Sequence, residues 1–254
     1  MRIAVLFGAT SVVPADVAGR AVAVIDVLRA STSIATALAN GARSIIPLAS
    51  PEEVVLRSKS FARADVRLAG ERRMRPVPGY DLGNSPGEFT REAVEGKTIL
   101  FATTNGTPAL LATQGARDVI VASYVNLSAA RAHLRAATRD GGDLTIICAG
   151  RERHFALEDA ACAGRLVRAV ARRRTDVMLD DGARTAILLD RRYGDRVDVL
   201  LAESTHGRAL AEAGFGDDLL ACAAVDAHPV VPVYADRQIT RSGGAARTGT
   251  ARAR

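Results

Sequence analysis

Short runs of β-branched and aliphatic residues recur along the chain. They lie at Ile3 to Leu6, Val22 to Val27, Ser44 to Leu48, Asp65 to Ala69, Thr98 to Ala102, Asp118 to Ala122 and Leu144 to Ile147. Runs of this length and composition predict buried strands. Helical patterns separate most of them. Asn126 to Arg139 and Leu157 to Arg173 carry apolar residues at helical spacing, with arginines on the other face. Ser50-Pro51-Glu52-Glu53 and Ser85-Pro86-Gly87-Glu88 each predict a helix start, with an N-cap Ser, Pro at the first helical position and Glu at the third. Such alternation predicts an α/β fold of three layers, with a largely parallel or mixed sheet and flanking helices. After Asp176 the pattern is helical and alanine-rich through Cys222, which admits a division into two lobes near residue 175. Val230 to Val233 reads as a closing strand.

The period disappears between Gly70 and Glu88, GERRMRPVPGYDLGNSPGE. Pro76, Pro78, Gly79 and Gly83 set turns there, and Tyr80 and Leu82 offer apolar anchors, so an ordered functional loop is expected. It holds Glu71, Arg72, Arg73, Arg75, Asp81 and Asn84, the carboxylates and guanidiniums that a metal-bridged anion needs. The bland alternative is a crossover whose charges face water.

Charge changes this picture little once its location is considered. The net +6 drops when the five arginines from Arg237 onward are set aside, leaving 29 basic against 28 acidic residues. Residues 1–236 are therefore read as a single, nearly neutral α/β catalytic unit, and 237–254 as a basic disordered tail. A neutral body, with aromatics at 4% and no Trp, argues against nucleic acid as a partner. No apolar run approaches the roughly 20 residues of a membrane span. Three cysteines without CxxC spacing argue against disulfides and zinc, and a reducing cytoplasm is expected.

Candidate chemistry gathers where strands end. Val22 to Val27 contains Asp26 and continues into Leu28-Arg29-Ala30-Ser31-Thr32; Thr98 to Ala102 runs into Thr103-Thr104-Asn105-Gly106; Leu144 to Ile147 precedes the helix carrying Glu158 and Asp159. In a parallel sheet such ends share one edge, where ligands bind and helix N-termini point free amides. Ser31, Thr32, Thr104, Asn105 and Gly106 are candidate phosphate donors, joined by Asn84 and Ser85; each also suits an N-cap or turn. Asp26, Glu71, Asp81, Glu158 and Asp159 are candidate Mg²⁺ ligands, one to three of which suffice. Arg29 and Arg72 are candidate anion clamps, whereas Arg73 and Arg75 read as solvated. His206 is a weaker candidate, since a capping turn explains it equally well. Position 154, six after Cys148, is His, which excludes a cysteine-phosphatase loop; Leu28 excludes an aspartyl D-x-D signature.

Together VIDVLRASTSI (Val24 to Ile34), the Gly70–Glu88 loop, TTNGT (Thr103 to Thr107), CAGRERHFALED (Cys148 to Asp159), and the ESTHG and VVPV segments resemble the 2-phosphosulfolactate phosphatase family. The resemblance implies an α/β, Mg²⁺-dependent hydrolase that converts 2-phospho-3-sulfolactate to sulfolactate on the route to coenzyme M. Its motifs fall on Asp26, Arg29, Ser31, Glu71, Arg72, Asp81, Asn84, Ser85, Thr104, Asn105 and Asp159. Two departures stand out: Arg73-Met74 occupies the place of a common Asn-Gly, and Ala156 that of a common Ser. The expectation is a phosphatase for a small anionic phosphomonoester, with Asp26, Glu71 and Asp159 catalytic and a homodimer admissible. The alternative is a non-catalytic anion-binding or regulatory protein on the same fold.

Overall fold

The computed structural model describes residues 1–243. The strands are β1 (Arg2–Leu6), β2 (Ala21–Ile25), β3 (Ser44–Pro47), β4 (Val66–Arg72), β5 (Arg75–Pro76), β6 (Thr98–Ala102), β7 (Asp118–Ala122), β8 (Leu144–Cys148), β9 (Met178–Leu179), β10 (Pro232–Ala235) and β11 (Gln238–Arg241). The helices are α1 (Pro14–Val17), α2 (Ala30–Ala39), α3 (Pro51–Ser58), α4 (Arg91–Val94), α5 (Gly106–Leu111), α6 (Leu127–Ala137), α7 (Leu157–Ala171), α8 (Asp181–Tyr193), α9 (Val197–Glu203), α10 (Thr205–Glu212) and α11 (Gly216–Ala223). The architecture is α/β with one mixed sheet, ordered β5-β4-β6-β3-β11-β10-β7-β2-β8-β1-β9. Strands β2, β6 and β8 are buried along their whole length, which is why their sequences are unbroken apolar runs rather than alternations.

Two parallel blocks make up the sheet, β4-β6-β3 and β7-β2-β8-β1. The β10–β11 hairpin joins them, pairing antiparallel with β7 through Val233 and Ile120 and with β3 through Ile239 and Ile45. Each of these three contacts reverses direction, so the two blocks run in opposite senses along the sheet. A single core nevertheless unites them around α2. Ile34, Ala35 and Leu38 cluster with Val22, Val24 and Val121 of one block and with Ile45, Ile99 and Phe101 of the other. The site therefore forms where two strand-end rims meet, not along the one parallel edge expected from sequence.

Three boundaries are corrected. The aperiodic stretch begins later than expected, because β4 continues through Gly70, Glu71 and Arg72 and turns back on itself, pairing Arg72 with Arg75. Ser85 opens only a 3-10 turn, Pro86–Glu88, without a side-chain cap; its hydroxyl is held elsewhere, as described below. Ser50, in contrast, caps α3 by accepting from Glu53 N at 3.3 Å. The expected disordered tail from residue 237 is also revised: Gln238–Arg241 form β11 inside the sheet, with Ile239 fully buried. Asp236 and Arg237, at φ 50° and 61°, supply the tight hairpin turn. Residues 244–254 of that expected tail lie outside the described residues.

Removing everything from Arg237 onward should accordingly destabilise the fold rather than trim it. Ile239 alone contributes about 1.5–3 kcal/mol by burial, and β3 and β10 would both be left with unpaired edges. Thermal melts of the truncated chain should show a large drop in midpoint or no folded protein; an unchanged midpoint would contradict the placement of β11. Among the described residues no helix is long and apolar enough to cross a membrane.

Candidate active site

Asp26 follows β2, and the backbone around it is fixed by its neighbours. Its amide donates to Ser31 Oγ at 2.9 Å, and its Oδ1 accepts from Ala30 N at 3.1 Å, at the start of α2. The carboxyl is only 5% exposed. Burial pushes its pKa from 3.8 up to about 6; Glu71 and Glu158 add to the rise, while His206 and the Ala30 amide oppose it. Gly106, at the start of α5, is required by close approach. A Cβ there would stand 2.8 Å from Asp26 Oδ2 and 2.6 Å from Ala30 Cβ.

Glu71, at the end of β4, bridges two loops. Its Oε1 accepts from Thr104 N at 2.7 Å and its Oε2 from Met74 N at 2.8 Å. Asn105 Oδ1 in turn accepts from Glu152 N at 2.9 Å, tying the β6 end to a second tight turn in which Arg151 pairs with His154. The result is a narrow cavity of about 30 Å³ lined by Asp26, Arg29, Glu71, Asn84, Thr104, Asn105 and also by Arg73, Arg151 and His206. These residues come from both blocks of the sheet and from segments up to 180 positions apart (Asp26 to His206).

His206, at the first turn of α10, is 8% exposed, and its Nδ1 lies 3.1 Å from Glu158 Oε1. Ser204 caps that helix by accepting from Gly207 N at 2.9 Å, which fixes the imidazole's approach. With Nδ1 committed to Glu158, Nε2 is the nitrogen left for a ligand. Two buried oxygens have no partner among the described residues, Asn84 Oδ1 and Glu158 Oε2.

The other expected site residues have different tasks. Ser31 holds Asp26 N, and Thr32 Oγ1 donates to Val27 O at 2.9 Å and lies 2.8 Å from Ser123 Oγ, so both hydroxyls fasten the loop from within. Asp159 braces the same loop, its two oxygens accepting from Val27 N at 2.8 Å and Gly150 N at 3.1 Å. Burial, then the charges of Glu158 and Asp26, hold its pKa well above the carboxylate range. Arg29 is 3% exposed, pairs with Asp218 at 2.7 Å, donates from Nη1 to Ser85 Oγ at 3.1 Å and lies 4.5 Å from the centre of the Phe215 ring. Ser85 Oγ donates to the same Asp218 at 2.8 Å. Arg29 thus lines the cavity with its charge already compensated.

Arg72 and Asp81 also fall outside the cavity. Arg72 turns toward the start of α3, donating to Ala49 O at 3.4 Å and to Glu71 O at 3.1 Å. Asp81 accepts from Leu68 N at 2.8 Å and pairs with Arg63, serving the loop's own structure. Conversely, Arg73, Arg151, Glu152 and Asp218 were not singled out by sequence as site residues, and His206 was ranked low. The Arg29–Asp218 and Glu158–His206 pairs span 189 and 48 positions, and no local pattern announces them. Cys148 is fully buried, and burial raises its thiol pKa well above 9.0, so it offers no thiolate.

Chemically, a dry carboxyl, an imidazole oriented by a second carboxylate, and amide and guanidinium donors surround one small opening. That set suits proton transfer around a small anion. A family model described as 2-phosphosulpholactate phosphatase matches residues 9–237. A protein of Symbiobacterium thermophilum described as a probable 2-phosphosulfolactate phosphatase is 41% identical over 224 residues, covering 88% of this chain and 95% of that protein. Proteins with the same description from Caldanaerobacter subterraneus and Thermotoga petrophila are each 38% identical, covering 85% and 84% of this chain and 88% of each relative.

Proposed function

Since the chain belongs to the 2-phosphosulpholactate phosphatase family, and so to the phosphoric monoester hydrolases, we propose that it releases phosphate from 2-phospho-3-sulfolactate or a closely related phosphorylated 2-hydroxy acid. The observation that carries this reading is Asp26, a buried carboxyl held near pKa 6 at the mouth of α2 and facing His206. Asp26 takes the proton of the attacking water as its oxygen bonds to phosphorus. The bond from phosphorus to the hydroxy-acid oxygen breaks, and His206, held by Glu158, is the group placed to deliver a proton to that oxygen. Thr104, Asn105 and Asn84 orient the phosphoryl group, and positioning supplies much of the rate in such reactions.

Mg²⁺ is the proposed cofactor. Among the described residues no group of three or more His, Cys, Asp or Glu side chains is arranged to enclose a metal. Mg²⁺ needs less, because it keeps waters and takes one or two carboxylates plus substrate oxygens. The surplus of buried acids around Asp26 fits a cation; Asn84 and Glu158, whose Oδ1 and Oε2 have no partner among the described residues, would hold it, which leaves Asp26 for the proton. When bound it supplies charge neutralisation at the phosphoryl oxygens. Glu71 and Asp159 already accept backbone amides with both oxygens, which makes them weaker ligands. A reducing cytoplasm remains the proposed compartment, in keeping with three free buried cysteines.

The test is phosphate release from 2-phospho-3-sulfolactate and a panel of phosphorylated 2-hydroxy acids, with Mg²⁺ and with EDTA. Release that Mg²⁺ stimulates and EDTA suppresses is expected. Inactivity on every member would refute the substrate class, and equal rates in EDTA would refute the metal.

A further inference from the structure

The cavity's cations differ in how far their charge is already engaged. Arg29 is buried and paired with Asp218. Arg151 is half-buried and donates to Thr205 O at 3.4 Å. Arg73 is exposed at the rim, and among the described residues no carboxylate pairs with it.

The backbone of Arg73 is unusual as well. Arg73 and Met74, at φ 50° and 69°, form the two-residue turn between β4 and β5. A hairpin of this kind favours Gly, Asn or Asp, because a Cβ is disfavoured in the left-handed region. The turn is also firmly mounted. Met74 N donates to Glu71 Oε2 at 2.8 Å, and Met74 O accepts from Arg29 Nη2 at 2.7 Å. Arg73 is therefore an exposed guanidinium, with no paired carboxylate among the described residues, on a firmly held turn, at a position where local preference disfavours it.

The size of the cavity says what such a cation can reach. At about 30 Å³ the cavity is far smaller than the pockets that enclose whole small molecules, so the interior has room for the phosphoryl end of a substrate and not for all of it. The remainder of any substrate lies at the mouth, beside Arg73. Resting on the hydrolase reading above, we propose that Arg73 is a specificity-determining residue: its guanidinium receives the sulfonate, which stands one carbon further from the phosphoryl centre than the substrate's carboxylate does. A guanidinium matches the oxygens of a sulfonate in a two-pronged contact that an uncharged group cannot make.

The experiment compares 2-phospho-3-sulfolactate with 2-phospholactate, which lacks only the sulfonate, on the full chain with Mg²⁺. Arg73→Gly is the informative variant, because glycine suits φ 50° and keeps the turn; its melting temperature should equal or exceed that of the parent. It should lower kcat/KM for the sulfonated substrate about tenfold or more, through KM, and leave 2-phospholactate within about twofold. Arg73→Lys should recover part of the loss. Equal losses on both substrates, or no loss on the sulfonated one, would overturn the assignment. If the parent releases phosphate from neither compound, the hydrolase reading fails separately. Calorimetric binding of 3-sulfolactate then decides: about tenfold weaker binding to Arg73→Gly supports the assignment, and unchanged or undetectable binding to both proteins overturns it.

Discussion

Asp26→Asn is expected to abolish phosphate release and at the same time give a more stable protein above neutral pH. The loss of activity follows from the proton that Asn cannot accept, worth about 10²–10⁴-fold from proton transfer alone. The gain in stability follows from the direction of the pKa shift. An ordinary carboxyl titrates at 3.8 and Asp26 at about 6, raised chiefly by burial. The native state therefore binds the proton more tightly than the unfolded chain does. Stability from this group is fully present below about pH 4 and is lost as pH rises toward and through 6. At pH 7 the ionised form costs on the order of 3 kcal/mol, which a neutral amide of the same shape removes. The Ala30 amide keeps its partner, because Asn Oδ1 still accepts. Melts in EDTA, which keeps any cation from masking the effect, should show the variant level with the parent near pH 4. The gap should open between pH 4 and 7. A flat or inverted gap would show that Asp26 is not held in the desolvated state described, and undiminished turnover would remove it from the chemistry.

Much of the fold is legible in the sequence for a simple reason. Strands such as β2, β6 and β8 are covered on both faces, so their residue choice is dictated by burial alone. The ends of those strands likewise mark where chemistry could sit, and Asp26, Thr104 and Asn105 do line one cavity. What escaped was governed by pairing. In the Gly70–Glu88 stretch, charged residues form an edge hairpin, and neither hydrophobic period nor propensity reveals one there. On such an element one position decides which side a chain faces. Arg72 turns away toward Ala49, while Arg73, its neighbour in the turn, lines the cavity. Ser31 and Thr32 pose a different ambiguity. A hydroxyl at a helix start can serve a ligand or its own loop, and here Asp26 N and Val27 O take both. Arg29 was legible as a site residue but not as a neutralised one, because Asp218 joins it from α11. The closing strand at Val230 to Val233 anticipates β10, but its hairpin partner was missed because β11 is a four-residue strand beside an arginine-rich segment, and only Ile239 among its residues is fully buried.

Gly70→Ala should be among the most damaging single substitutions in the chain, and it should act on stability and activity together. Gly70 sits at φ 146°, and a Cβ there would lie 2.1 Å from Ala102 O, a backbone atom that cannot rotate aside. Gly70 is paired with Ala102 across β4 and β6, and its amide also donates to Gly83 O at 3.0 Å. Relieving the overlap means separating these strands at the point where β4 delivers the next residue, Glu71, to Thr104 N. Forced strain of this kind belongs with the largest single-residue effects, about 4 kcal/mol or more, against a total stability of about 5–15 kcal/mol. Gly79, in the same loop at φ 82° but with open space around it, is the control. Gly79→Ala carries only the backbone penalty, about 1–2 kcal/mol. Urea unfolding should therefore place Gly70→Ala well below Gly79→Ala. At temperatures where both remain folded, only Gly70→Ala should lose phosphate release, because only there does Glu71 lose its register with the β6 end. Equal midpoints would mean that β4 and β6 can separate without cost at Gly70. Full activity in a destabilised Gly70→Ala would mean that the Glu71 bridge does not support the chemistry.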